Sequence, residues 1–284
     1  MIKLIIYFFQ SLIIYLLFSI GRILGIKISR NFFSYLFLFF GPIFKSNKII
    51  DKNLKIFSRY SSLEKKKIVK DMWKNYGMTF IEYIFLDQFL KNNFRITFKG
   101  EEYLNEVYKS KKPVIFVSGH FANFELMSME INKKNIQLAT IYRPLNNIFL
   151  NPFMEFLRKK YVCPNQIKKG LNGVREAIKY LKKGCSIALM IDQRVSEGEK
   201  ITFFGESAFT TTLPAQLSLK FGLNIIPVFI ERTKQNDFYL EFQEPIKSNE
   251  FKDKIRLTEV LNKKLEKMIL RKPHQWIWTH NRWK

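Results

Sequence analysis

Residues 113–126 read PVIFVSGHFANFEL, and this stretch decides the fold. The unbroken apolar run at 114–117 predicts a strand buried on both faces. Gly119 permits a tight turn. From Phe121 the apolar spacing becomes helical and predicts a helix over 121–131. A buried strand that passes into a helix through Gly119-His120 ends at the sheet edge where α/β proteins bind ligands. Working outward, the same alternation recurs. Strands are predicted over 95–98, 136–142, 186–191, 225–230 and 238–242, and helices over 149–160, 174–183, 214–221 and 257–270. Gly184 and Gly222 close two of those helices. Strands separated by helices predict an α/β fold, a layered sheet with flanking helices.

A hydrophobic helix precedes this region. Residues 4–20, LIIYFFQSLIIYLLFSI, carry no charge and approach the ~20 residues that span a bilayer. The segment is apolar all round rather than striped, unlike a surface helix of a soluble domain. A single Lys3 before it and the absence of a small-residue cleavage site near Gly21-Arg22 argue against a removed signal peptide. Arg22, Lys27 and Arg30 follow, so the positive-inside rule places the remainder in the cytoplasm. A second apolar stretch, 32–44, is too short to span and is expected to lie in the interface. The division expected is an anchor over 1–45 and a main domain over 46–284, with a helical lead-in (46–92) and an α/β core (93–284).

The 284-residue chain has a formal net charge of +24, which favours acidic lipid or an acidic carrier protein as partner. The basic residues are spread along the chain and no RNA-stacking signature is present, so nucleic acid is not an expected partner. Cys163 and Cys185 form neither a disulfide framework nor a zinc pattern. His274 and His280 have no cysteine nearby and do not read as a metal pair. A metal is not expected.

The chemistry centres on His120. Glu125 lies one turn further on, where its carboxylate is expected to reach the imidazole. A carboxylate on one ring nitrogen fixes the tautomer and stabilises the imidazolium, leaving the other nitrogen to take a proton from a hydroxyl. No GxSxG elbow is present. Three later clusters close or precede elements: Tyr142-Arg143-Pro144, Asp192-Gln193-Arg194, and Phe203-Phe204-Gly205 with Thr210-Thr211-Thr212-Leu213-Pro214. If the strands are parallel neighbours, these clusters meet beside His120. Arg143 and Arg194 would then hold phosphates or a developing oxyanion. The plainer alternatives are surface arginines and, for Asp192, a turn or helix cap.

In these blocks the sequence resembles the bacterial late lauroyl/myristoyl acyltransferases of lipid A biosynthesis. The resemblance covers nearly the whole chain: the hydrophobic anchor, GHFANFE (119–125), YRP (142–144), DQ (192–193), FFG…TTLPA (203–215), IPVF (226–229) and QWIWTHNRWK (275–284). It implies a glycerolipid-acyltransferase-like fold and transfer of an acyl group from acyl–acyl carrier protein to a hydroxyl of a Kdo-bearing lipid A precursor, without cofactor. It implies His120 as general base, Glu125 as its partner, and Arg143, Asp192 and Gln193 as substrate-binding residues. It also implies residence in the inner membrane with the catalytic region on the cytoplasmic side. The competing readings are an acyltransferase for a lysophospholipid or another glycolipid, and a non-catalytic, membrane-tethered binder of anionic lipid.

Overall fold

The computed structural model describes residues 2–44, 47–57, 60–91 and 94–284; the boundaries expected at 45/46 and 92/93 fall on residues outside these. The helices are α1 (Ile2–Phe44), α2 (Asn47–Lys55), α3 (Ser62–Glu82), α4 (Leu86–Leu90), α5 (Glu101–Ser110), α6 (Glu125–Lys133), α7 (Asn151–Leu157), α8 (Leu171–Lys182), α9 (Leu213–Phe221) and α10 (Lys254–Arg271). The strands are β1 (Ile96–Lys99), β2 (Ile115–Ser118), β3 (Leu138–Tyr142), β4 (Asn165–Lys168), β5 (Ser186–Met190), β6 (Glu199–Phe203), β7 (Glu206–Thr210), β8 (Ile225–Arg232) and β9 (Phe238–Phe242).

Helix α1 is two helices joined at Gly25, whose φ of 72° and ψ of 161° define a conformation essentially reserved for glycine. In the first half Tyr7, Ser11, Ile14, Phe18 and Gly21 recur at helical spacing and face the protein. Ile5, Phe9, Leu12, Ile13 and Leu16 on the remaining surface are exposed. In the second half, residues 32–44, expected in the interface, pack one face along α3 and leave Phe32, Tyr35, Phe39 and Phe40 exposed on the other. Phe33 is fully buried, and Phe37 meets the rings of Tyr76 and Phe80 at 6.3 and 5.1 Å. The two helices approach so closely that a Cβ on Gly77 would lie 2.0 Å from the Phe33 carbonyl oxygen. Ser61 and Glu64 start α3 with a capping box.

Arg30, expected to flank the membrane segment, turns inward. Its Nε donates to Glu82 at 2.7 Å. Glu82 also pairs with Arg232 at the end of β8, at 2.9 Å, and accepts from Asn123 at 3.0 Å. All four side chains are buried, so each charge depends on its partners.

Among the described residues, seven strands form one sheet in the order β1-β9-β8-β2-β5-β3-β4. Strands β8, β2, β5, β3 and β4 are parallel, β9 runs against β8, and β1 is parallel to β9. Side chains alternate between two cores, as strand geometry requires. Ile115 and Val117 join the layer of α8, α9 and α10. Phe116 joins the layer of α5, α6 and α7, which also receives Phe18 of α1. This is the expected α/β layered fold with an apolar N-terminal helix.

Several elements differ from expectation. The helix after β2 begins at Glu125 rather than Phe121, because residues 120–124 form a turn pinned by a bridge between Phe121 and Trp276 and a positive φ at Ala122. Strand β4 and helix α5 were not anticipated: β4 is short, polar and half-exposed, while α5 is a ten-residue helix whose apolar face rests on Leu104 and Val107. Residues 199–210 form a hairpin of β6 and β7, so Phe203 ends β6 and Phe204-Gly205 is the turn, with positive φ at both.

Candidate active site

The parallel strands end on a common edge. In the β2–β5 pairing Ser118 lies opposite Met190. Two residues further along each chain, the same register sets His120 opposite Asp192. The imidazole Nδ1 lies 2.7 Å from Asp192 Oδ1. Asp192 Oδ2 accepts from the His120 backbone N–H and from Trp276 Nε1–H, both at 2.8 Å. Asp192 is 1 % exposed. Burial by itself would raise its carboxyl pKa, but the neighbouring imidazole and these hydrogen bonds outweigh it and hold the pKa below its ordinary value. An ionised carboxylate only accepts, so Nδ1 carries the proton. Nε2 is left as the basic nitrogen, and His120 lines the cleft.

The imidazole therefore takes a different carboxylate from the one expected. Glu125 is buried in the cleft wall, and its Oε1 accepts from Tyr83 Oη at 2.6 Å and Arg158 Nε at 2.7 Å. Phe124, just before it, packs edge-on against the His120 ring at 4.7 Å. Burial disfavours the Arg158 cation, yet Glu125 and Tyr83 hold its pKa above the ordinary value. Burial and the Glu125 charge likewise raise the Tyr83 phenol. Glu125, Arg158 and Tyr83 thus make one fixed, charge-paired unit in the wall.

Arg143 and Gln193 line the same cleft, whose volume is about 480 Å³. Asp192 stands behind the imidazole, bonded to His120 and Trp276. Arg194 leaves the cleft, with its guanidinium 5.3 Å above the Phe209 ring. Lys169, which follows β4, lines the cleft as well; partial burial and the Arg143 charge both lower its ammonium pKa. Two cations held close together attract an anion. A second cavity of about 340 Å³ shares His120, Phe124 and Arg158 with the cleft and runs among Phe18, Phe80, Leu150 and Met154. An apolar slot thus meets a basic cleft at the imidazole.

Trp276 and Lys169 were missed as site residues. A buried tryptophan seeks a partner for its indole N–H, which was the available signal for Trp276. Lys169 follows the unanticipated β4 and had none. His280 also lines the cleft, with Nε2 accepting from the Arg194 backbone N–H at 2.9 Å. Burial pushes its pKa down to about 4.

A histidine backed by a buried carboxylate, between an anion-attracting cleft and an apolar slot, has the layout of an enzyme that acylates a hydroxyl. The profile of the bacterial lipid A biosynthesis acyltransferases matches residues 2–284. The chain belongs to that family, the O-acyltransferases of lipopolysaccharide biosynthesis. It is 27% identical over 251 residues to the lipid A biosynthesis palmitoleoyltransferase of Escherichia coli, covering 84% of this chain and 79% of that one. It is 26% identical over 247 residues to the lauroyltransferase of the same organism, covering 84% and 78%. Among solved structures, the 1-acyl-sn-glycerophosphate acyltransferase of Thermotoga maritima superposes with a TM-score of 0.43 at 13% identity, over 89% of this chain and all of the other. The apolar helix and the family's lipid acceptor together point to membrane association.

Proposed function

We propose that the chain transfers a fatty acyl group from acyl–acyl carrier protein to a hydroxyl of a Kdo-bearing lipid A precursor, with His120 as general base. The supporting observation is the Asp192–His120 pair at the sheet edge, which leaves Nε2 as the basic nitrogen beside both cavities. In this reading Nε2 takes the proton from the acceptor hydroxyl as its oxygen attacks the thioester carbonyl. Asp192 stabilises the imidazolium that forms. The tetrahedral intermediate collapses, the C–S bond breaks, and the thiolate takes the proton back from the imidazolium. The products are an ester and the free carrier thiol.

The other residues divide by place. The apolar slot takes the acyl chain, with its carbonyl at His120. Arg143 and Lys169, joined by Gln193, receive the phosphorylated and acidic acceptor head. Glu125 holds Arg158 and Tyr83 in the wall and contributes to turnover through them. The net charge of +24 suits both the anionic acceptor and an acidic carrier protein, whose approach would be steered and salt-sensitive. A carrier protein reached from the cytoplasm sets the catalytic region on the cytoplasmic side of the inner membrane, as Lys27 and Arg22 also favour.

The test is acyl transfer to a labelled Kdo-bearing precursor from a panel of acyl–acyl carrier proteins. The expected result is a less polar product that His120→Ala reduces by roughly 10²–10⁴-fold without loss of folding. Undiminished turnover in that variant would refute the mechanism. Product formed only with lysophospholipids would replace the acceptor.

A further inference from the structure

We propose that residues 145–149 and Phe156 form a second bilayer contact, continuous with the apolar first half of α1, that brings the mouth of the catalytic cleft to the lipid. Leu145, Ile148, Phe149 and Phe156 are 37, 55, 39 and 53 % exposed, and large apolar side chains grouped on a surface mark an interaction site. The segment is seated on α1. Phe149 and Phe8 rings meet at 5.6 Å, and Tyr15 Oη donates to the Phe149 carbonyl at 2.8 Å.

The loop is also built to tolerate an apolar surrounding. The Asn147 side chain accepts from the N–H groups of Phe149 and Leu150 at 3.0 and 3.2 Å, and donates to the Tyr7 carbonyl at 2.8 Å. Asn151 accepts from the Leu145 N–H at 2.8 Å. Backbone polar groups satisfied in this way lower the cost of leaving water, while the apolar tips stay outside.

A bilayer suits this surface better than a protein partner for two reasons. The patch continues the exposed apolar face of α1. Exposed Lys159 and Lys160 follow Phe156, and Lys160 Nζ lies 5.2 Å over the Phe156 ring. That places an apolar ring beneath an ammonium, as at a lipid headgroup boundary. Leu145 also lines both the cleft and the apolar slot, so the contact sits at the opening that a membrane-borne acceptor must reach.

The proposal does not depend on the catalytic reading, and its test uses no turnover. Ile148→Cys is labelled with an environment-sensitive fluorophore in the full chain; native Cys163 and Cys185 are buried. The control is Lys183→Cys, exposed just before β5 begins, on the opposite edge of the sheet. Each protein is floated with vesicles of phosphatidylethanolamine and phosphatidylglycerol. The expected result is a blue-shifted emission at position 148 and quenching by spin-labelled lipid several times that at position 183. Equal access of aqueous iodide to both positions in co-floated protein, with no lipid quenching at 148, would overturn the proposal. So would a full chain that does not float with the vesicles.

Discussion

Replacing Asp192 with asparagine tests the site at its most constrained atom. The carboxylate accepts from three donors: Oδ1 from Nδ1 of His120, and Oδ2 from both the His120 backbone and Trp276. Asparagine has the same shape but one acceptor oxygen and one NH₂ group. The oxygen is favoured where two N–H groups converge, so the NH₂ must face the imidazole. The ring then becomes an acceptor at Nδ1 and carries its proton on Nε2, the nitrogen that in the proposed mechanism receives the substrate's. Losing general-base help of this kind costs roughly 10²–10⁴ in kcat, equivalent to about 3–5 kcal/mol in the barrier. Because Asp192 is buried behind the imidazole, KM for the acceptor is expected to stay unchanged. Single-turnover acyl transfer with a thermal melt of the same preparation makes the measurement. A kcat within about threefold of wild type, in a variant that melts normally, would refute the tautomer argument.

Glu82→Gln strands Arg30 and Arg232 in the core and is expected to cost about 3–5 kcal/mol of stability, read from denaturant unfolding; an unchanged midpoint would show that the guanidinium groups find water. Gly77→Ala drives a methyl against the Phe33 carbonyl and should destabilise the α1–α3 contact by about 1–3 kcal/mol; an unaltered melting curve would mean that the helices part freely. His280 titrates near 4 when folded against an ordinary 6.5, so between these values the unfolded chain binds the extra proton. Its contribution is therefore complete above pH 6.5 and fades as pH falls towards 4. His280→Gln should flatten stability in that window, and an identical pH profile would contradict the assignment.

Legibility of the sequence followed the strength of its local signals. The buried strands were readable because continuous apolar runs have few other uses, and the position of His120 followed from strand, glycine and turn. The carboxylate that holds it was not. Spacing along the chain favoured Glu125, five residues away, whereas the fold supplies Asp192, 72 residues away, through sheet register that no local pattern encodes. Arg30 misled for a related reason: a cation after an apolar run normally meets headgroups, but the kink at Gly25 redirects it to a glutamate on α3. The β6–β7 hairpin escaped notice because its turn is Phe204-Gly205 rather than the usual Asn-Gly or Asp-Gly.

The indole of Trp276 has a consequence for the order in which the protein is made. Translation delivers α1 first and the five parallel strands next, so the nascent chain can engage the bilayer while residues 275–283 are still unmade. Until Trp276 arrives, Asp192 lacks one of its three donors and the turn at Phe121 lacks the bridge that pins it. A chain arrested on the ribosome would therefore present its apolar helix to the bilayer with the Asp192–His120 pair incompletely held, and the pair would be fixed only when the segment carrying Trp276 folds back onto it.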